Sequence, residues 1–224
     1  KSYSSPDSPS WYGICHGWSP ASLNHAQPIP VTVKSPVTGV EIAFGSSDVK
    51  ALLSFYYGKQ AYKQREVNQT GSRCGDNGGC GKDMNPGSLH IILANQLGLM
   101  QQGFVGDMAK GDQVWNHPIY KFESEEIDTR DQAKSDAAPT ATHEVKIRTK
   151  IWYGIETAPY WPTIKTADRT RSYTYWLELD KNNNIVGGRY GALLSGGGKA
   201  PDFVWKVKPM AFTGSWEALN DIYR

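Results

Sequence analysis

Cys15 is the residue best suited to covalent chemistry. It stands in WYGICHGW, far from the other two cysteines, Cys74 and Cys80. A thiol becomes a strong nucleophile when its ionised form is stabilised, by a helix N-terminus or by a neighbouring imidazolium. Gly13 and Gly17 would let backbone N–H groups approach a developing oxyanion. The alternative is a small buried hydrophobe, and composition leaves both readings open. A nucleophilic thiol needs a base, and the chain offers His16, His25, His90, His117 and His143. His16 is adjacent to the sulfur in sequence and points elsewhere in most backbones. His25 sits in a loop without context, and His143 opens an alternating surface strand. His90 enters an apolar run, where a polar ring is costly unless it is bonded or functional, so it is singled out. His117 lies at a plausible strand position. Asp107 follows 17 residues after His90 and would orient the imidazole from a neighbouring strand, with Asn116 as the amide substitute.

Cys74 and Cys80 flank a Gly/Asp/Asn loop flexible enough for a disulfide, which implies an oxidising compartment and hence secretion. Two reduced cysteines are the alternative. Asn68-Gln69-Thr70 is a glycosylation acceptor pattern. Asp76, Asn77, Asp83 and Asn85 are rich in oxygen but lack ordered calcium-loop spacing, so a solvated loop is the simpler reading. The 24 basic and 22 acidic residues leave a net charge of +2 with no basic block, so nucleic acid is not an expected partner. No apolar run approaches the ~20 residues of a membrane span.

The elements that must position these groups read as α+β in one domain, residues 1–224, with helices early and strands late. The load of 8 Trp, 12 Tyr, 6 Phe, 23 Gly and 13 Pro favours strands and turns over long helices. Residues 11–23 read as a turn leading into a helix interrupted at Pro20, and 28–38 as an extended connection. Residues 40–44 read as a strand, followed by a helix over 48–57 capped by Ser46-Ser47-Asp48 and stopped by Gly58. Residues 89–97 fit either a helix capped by Asn85 or Ser88 or a buried strand. Strands are expected at 104–108, at 114–122 (bent or at an edge because of Pro118), at 143–153, 172–180, 185–190 and 203–207. Residues 129–142 read as a surface excursion. Val145, Ile147, Thr149, Ile151 and Tyr153 share one face, opposite Glu144, Lys146, Arg148 and Lys150. The start at Lys1 without Met suggests a processed piece.

Four stretches together resemble the transglutaminase elicitors, a family of secreted, calcium-dependent protein-glutamine gamma-glutamyltransferases of Phytophthora, with relatives in other oomycetes and in marine Vibrio. They are WYGICHGWSPAS, RCGDNGGCGKDMNPGSLHIILANQLG, QVWNHPIYKFE and NNNIVGGRYG…APDFVWKVKP. The resemblance implies a papain-like catalytic core with a largely antiparallel C-terminal sheet. It puts Cys15, His90 and Asp107 in the catalytic roles. Trp11, His16 and Trp18 flank the nucleophile as substrate-binding or oxyanion elements; core aromatics are the alternative for the two tryptophans. Val114, Trp115, Asn116, Pro118 and Phe122 match the family's surface elicitor peptide. His117 stands where the oomycete peptide has Gln, Tyr120-Lys121 replace its Arg-Gly, and Arg189-Tyr190 follow the Gly-Gly pair. The His117 exchange argues against it as the base. The implied activity is cross-linking of glutamine- and lysine-bearing proteins through a thioester, in a secreted or cell-wall protein processed from a longer precursor. Sequence alone requires no cofactor; the resemblance implies Ca2+, and a plant surface receptor as partner for an oomycete member. A papain-like cysteine peptidase and a non-catalytic elicitor or binding module are the competing readings.

Overall fold

The computed structural model describes residue 7 and residues 12–60, 68–72, 84–108, 113–158, 165–191 and 201–223. Trp11, the Cys74/Cys80 pair and Asp76, Asn77 and Asp83 lie outside them.

Helix α1 spans Cys15–Asn24 and carries Pro20 inside it. The sequence suggested an interruption there, yet the helix runs through. Pro20 lies only one turn in, so the single N–H that it lacks is the one that would have reached the His16 carbonyl. Strands β1 (Val31–Lys34) and β2 (Glu41–Phe44) form a separate antiparallel pair, so the segment read as an extended connection contains a strand. Helix α2 spans Ser46–Gln60, and Asp48 Oδ2 accepts from Gly45 N at 2.8 Å at its start. It passes Gly58, the expected stop. Packing against α1 outweighs local propensity at this point: a Cβ on Gly58 would stand 2.8 Å from the Ile14 side chain. Gly17 serves the same crossing, since a Cβ there would meet the Ser54 carbonyl at 2.1 Å.

A short strand β3 (Asn68–Gly71) carries the exposed Asn68. Helix α3 (Pro86–Ile92) then forms as its signals indicate. Asn85 Oδ1 accepts from Gly87 N and Ser88 N at 2.9 and 3.3 Å, and Pro86 occupies the first turn. The helix widens into a π-helical stretch over Leu93–Leu99. The remaining strands are β4 (Phe104–Asp107), β5 (Asn116–Arg130), β6 (His143–Gly154), β7 (Asp168–Leu179), β8 (Ile185–Tyr190) and β9 (Phe203–Lys206). A final short helix α4 covers Leu219–Ile222. Seven strands make one antiparallel sheet in the order β3-β9-β4-β5-β6-β7-β8. Few helices and one large antiparallel sheet bear out the α+β reading.

Pro118 is not on an edge strand, because β5 lies between β4 and β6. It pairs with Val105 of β4, β6 joins only from Ile119, and the register shifts between Ile119 and Lys121. The missing N–H thus falls at a junction where the ladder is irregular. Strand β5 also runs to Arg130, into the segment read as an excursion.

The two faces of the sheet carry different helices. Neighbouring residues on one strand point to opposite faces. Val105 and Trp205 pack in a cluster with Ala21 of α1 and with Val49, Leu53 and Tyr57 of α2. Phe104 and Val204, their immediate neighbours, pack in the other cluster with Leu89 and Leu93 from the α3 side. The α1/α2 face and the α3 face are therefore opposite sides of the sheet. As the alternation indicates, Ile147, Thr149, Ile151 and Tyr153 of β6 are buried together, as are Tyr173, Tyr175, Leu177 and Leu179 of β7.

One residue of the expected solvated face is not solvated. Glu144 has a side-chain exposure of 0% and is bridged by Arg189 and Arg130. It also accepts from Lys134 N at 3.2 Å, and Glu178 accepts from Ala138 N at 3.0 Å, so the turns after β5 are tied onto the sheet. The Arg130 guanidinium stacks 3.8 Å above Trp176. The hydrogen bond from Arg189, with lesser help from the Lys134 N–H and Arg130, lowers the Glu144 carboxyl to about 2. Its stabilising charge is then complete above the ordinary value of 4.5 and is lost as pH falls toward 2. Glu144→Gln is expected to destabilise the fold by roughly 2–4 kcal/mol at pH 7, because Arg130 loses its carboxylate and Arg189 keeps only Glu178. The gap to the parent should shrink at pH 3. Thermal unfolding at both pH values checks this, and an equal deficit at the two would contradict it.

Candidate active site

Cys15 opens α1, and no side chain caps that end of the helix. The helix dipole favours negative charge at this end of α1. The sulfur faces the start of β5. Its S–H donates to the Val114 carbonyl at 3.6 Å, and Asn116 Nδ2 donates to Sγ at 3.5 Å. One turn further along α1, Ser19 Oγ donates to the Asn116 carbonyl at 2.7 Å. The other end of the Asn116 amide is held by Trp205 of β9, whose Nε1 donates to Oδ1 at 2.7 Å. Asn116 is 4% exposed.

Asp107 is fully buried directly opposite Asn116 in the β4–β5 register, and so on the same face of the sheet. Its Oδ1 accepts from Trp115 N at 2.9 Å, which fixes the chain just before Asn116.

The imidazole expected between Cys15 and Asp107 is placed elsewhere. His90 lies on α3, on the opposite face of the sheet, with Nδ1 2.8 Å from the Tyr175 hydroxyl. That hydroxyl is in turn 2.7 Å from Thr149 Oγ1. The cost of a polar ring in an apolar run is met by this buried chain of hydrogen bonds, a structural solution that the sequence pattern shares with a catalytic one. The other rings also have partners. His16 bonds to the Gly58 backbone, His25 lies 3.0 Å from the Tyr57 hydroxyl, and His143 lies 3.0 Å from Thr142 Oγ1. His117 places Nδ1 3.0 Å from the Gly154 carbonyl. Among the described residues no imidazole is hydrogen-bonded to the sulfur.

His117 is nonetheless the ring whose surroundings overlap those of Cys15. It follows Asn116 in the chain and packs edge-on against Trp18 with centroids 6.0 Å apart. The Gly154 carbonyl can only accept, so Nδ1 carries the proton and Nε2 keeps a lone pair. Burial chiefly lowers its pKa below the ordinary 6.5, against smaller upward pulls from that carbonyl and Glu156.

Gly17 serves the helix crossing, its N–H donates to the Ile14 carbonyl at 2.8 Å, and His16 turns toward α2. Trp18 donates from Nε1 to Glu156 Oε1 at 2.9 Å. It lines a cleft of about 540 Å³ together with Ile14, Pro118, Tyr120, Lys50 and Asp168. Asn116 and Pro118 share one face of β5. The first holds the sulfur and the second walls the cleft, so the two are one pleat apart. A cleft of this size, apolar with a few charged groups, is typical of a ligand site.

The segment expected at the surface is a structural strand start. Asn116 and Pro118 are buried, and Val114, Trp115 and Phe122 are half-buried. For calcium, Asn85 already gives its oxygen to the N-terminus of α3, and no group of three His, Cys, Asp or Glu side chains among the described residues could hold a metal ion. No helix among the described residues is long and apolar enough to cross a membrane.

The sequence did not single out Trp205, Ser19 or the Val114 carbonyl. A faint signal for Trp205 was the alternation Phe203-Trp205-Val207, which puts the indole on a buried face.

No curated protein sequence matches the chain. It is similar in structure to the GP42 transglutaminase from Phytophthora sojae, with a TM-score of 0.69 and 27% identity over 96% of this chain. The match covers 62% of that longer chain. The family described as transglutaminase elicitor matches residues 4–215. With nearly its whole length matched, the chain belongs to the transglutaminase elicitor family.

Proposed function

We propose that the chain is a protein-glutamine gamma-glutamyltransferase that works through Cys15. The observation that carries this reading is the sulfur at an uncapped helix start, with a fixed amide donor on one side and a cleft one pleat away. Family membership supports it.

In this reading a substrate glutamine reaches the sulfur from the cleft. Sγ attacks the carboxamide carbon, the C–N bond breaks, and the thiol proton leaves with the nitrogen as ammonia. A thioester remains. The amine of a substrate lysine then attacks the acyl carbon and the C–S bond breaks. The amine gives up a proton, and the sulfur regains one. We assign the proton movements to Nε2 of His117, whose ring reaches Trp18 of α1 although it alternates with Asn116 along β5, and whose tautomer is fixed by Gly154. This assignment replaces His90, which the Tyr175 hydroxyl holds on the far face of the sheet. Trp18 and Pro118 shield the thioester from water, so that the amine outcompetes hydrolysis. Secretion is part of the same proposal, in line with family membership. No step is routed through calcium.

The elicitor-module reading requires the 114–122 segment to be displayed; Asn116, Pro118 and Ile119 are buried at the start of β5, while Tyr120 and Lys121 are exposed. The peptidase reading shares the thioester and differs in using water as acceptor.

Incubation with casein and a fluorescent amine tests the proposal. The parent should incorporate the amine, and Cys15→Ala should lose about three orders of magnitude or more. His117→Gln should lower kcat roughly 100-fold, while His90→Gln stays within about threefold at a temperature where it is folded. Activity should hold as pH falls through 6.5 and decline only below it, because the neutral ring is required and its pKa lies lower. Peptide release without incorporation would establish a hydrolase instead. Full incorporation by Cys15→Ala would remove the sulfur from the mechanism. A collapse of kcat in His90→Gln with His117→Gln unaffected would reverse the two histidine roles.

A further inference from the structure

We propose that Trp205 is the positioning residue that sets the reactivity of Cys15, by deciding which end of the Asn116 amide the sulfur meets. The inference rests on Cys15 being a working thiol, as in the reading above, but its test measures the thiol and not cross-linking.

A carboxamide has two ends of nearly equal size and opposite hydrogen-bonding character. Facing the sulfur with its NH2 group, Asn116 donates to the anion and favours it over the neutral thiol. Facing the sulfur with its oxygen, it would accept from the S–H and favour the neutral form. The two orientations differ by a rotation of the amide about its terminal torsion, which is a soft degree of freedom. Something must choose between them.

The indole N–H can only donate. It stands 2.7 Å from the amide, in a buried setting where an unanswered N–H is costly. The amide oxygen must therefore face Trp205, and the NH2 is left for Sγ at 3.5 Å. Ser19 fixes the main chain of the same residue, so the amide cannot escape by moving the strand. The sulfur is thereby told its preferred charge by a side chain that does not touch it. Trp205 sits on β9, two strands from β5, and lies far from Cys15 in sequence.

The readout is the rate of alkylation of Cys15 by iodoacetamide across pH. The full chain is used with Cys74 and Cys80 blocked beforehand or followed separately by mass spectrometry. Trp205→Phe keeps the ring and removes the N–H. Alkylation at pH 7 should slow roughly three- to tenfold, the effect of one neutral hydrogen bond, while the rate at pH 10, where thiols ionise regardless, stays unchanged. Asn116→Asp should slow the reaction at pH 7 at least tenfold, because the indole holds one carboxylate oxygen and turns the other, charged, toward the sulfur. In an Asn116→Ala background Trp205→Phe should have no further effect, since the indole acts through the amide.

Three results would overturn the proposal: an unchanged rate in folded Trp205→Phe, an equal slowing at pH 7 and pH 10, or a full Trp205→Phe effect without Asn116. Should Trp205→Phe fail to fold, Asn116→Asp decides, and an unslowed rate there rejects the proposal. Loss of cross-linking with the alkylation pattern intact would sink the transferase reading and leave this one standing.

Discussion

A single buried amide ties the chemistry of this chain to its fold. Asn116 takes a hydrogen bond from Ser19 on its carbonyl and one from Trp205 on its side-chain oxygen, and gives one to Cys15. Those partners come from α1 and β9, and Asn116 itself starts β5. An amide this deeply buried must have its hydrogen bonds answered, at a cost of about 1–3 kcal/mol for each group left open. The position of α1 on the sheet and the environment of the sulfur therefore share one constraint. A displacement of either helix or strand would leave a buried polar group unanswered.

The sheet keeps two kinds of polar burial apart. On the α1 face, around the sulfur, the groups are an amide, an indole and the Asp107 carboxylate, all buried. On the α3 face, His90, Tyr175 and Thr149 form a closed chain among apolar neighbours. Nothing in that chain opens toward the cleft. Farther along the strands, Glu144, Arg130 and Arg189 close the sheet beneath the turns after β5. One set of polar groups surrounds the sulfur. The others bond among themselves, and their contribution is to specify how elements pair.

Much of the architecture was legible because local signals and tertiary context agree. Strict alternation in β6 and β7 marks a face that is indeed buried, and Asn85 with Pro86 starts a helix that the core then holds. The misses fall where a distant partner overrides a local rule. Pro118 sits inside a sheet because β6 has not yet joined there, and Gly58 does not end α2 because Ile14 packs over it. Glu144 looks like a surface carboxylate until two arginines from other strands are brought to it. The site shows the same division. Cys15 at a helix start and Asp107 on the same face were within reach of sequence reasoning. His90 was not, because a buried ring held by a tyrosine and a ring waiting for a thiol look identical in one dimension.

An amide at the sulfur has a consequence that an imidazole would not. In a thiolate–imidazolium pair each ion stabilises the other, and both titrate, so the reactive state exists only between two coupled pKa values. An amide has no proton to lose or gain over that range. Its contribution to the sulfur is the same in acid and in base, and smaller than that of a full charge. In the proposed mechanism the amide that holds the sulfur and the ring that moves the proton, His117, are separate groups. Separating the group that holds the nucleophile from the group that moves the proton makes the sulfur's reactivity depend on a fixed geometry. In this chain that geometry is set by one indole N–H aimed at one amide oxygen.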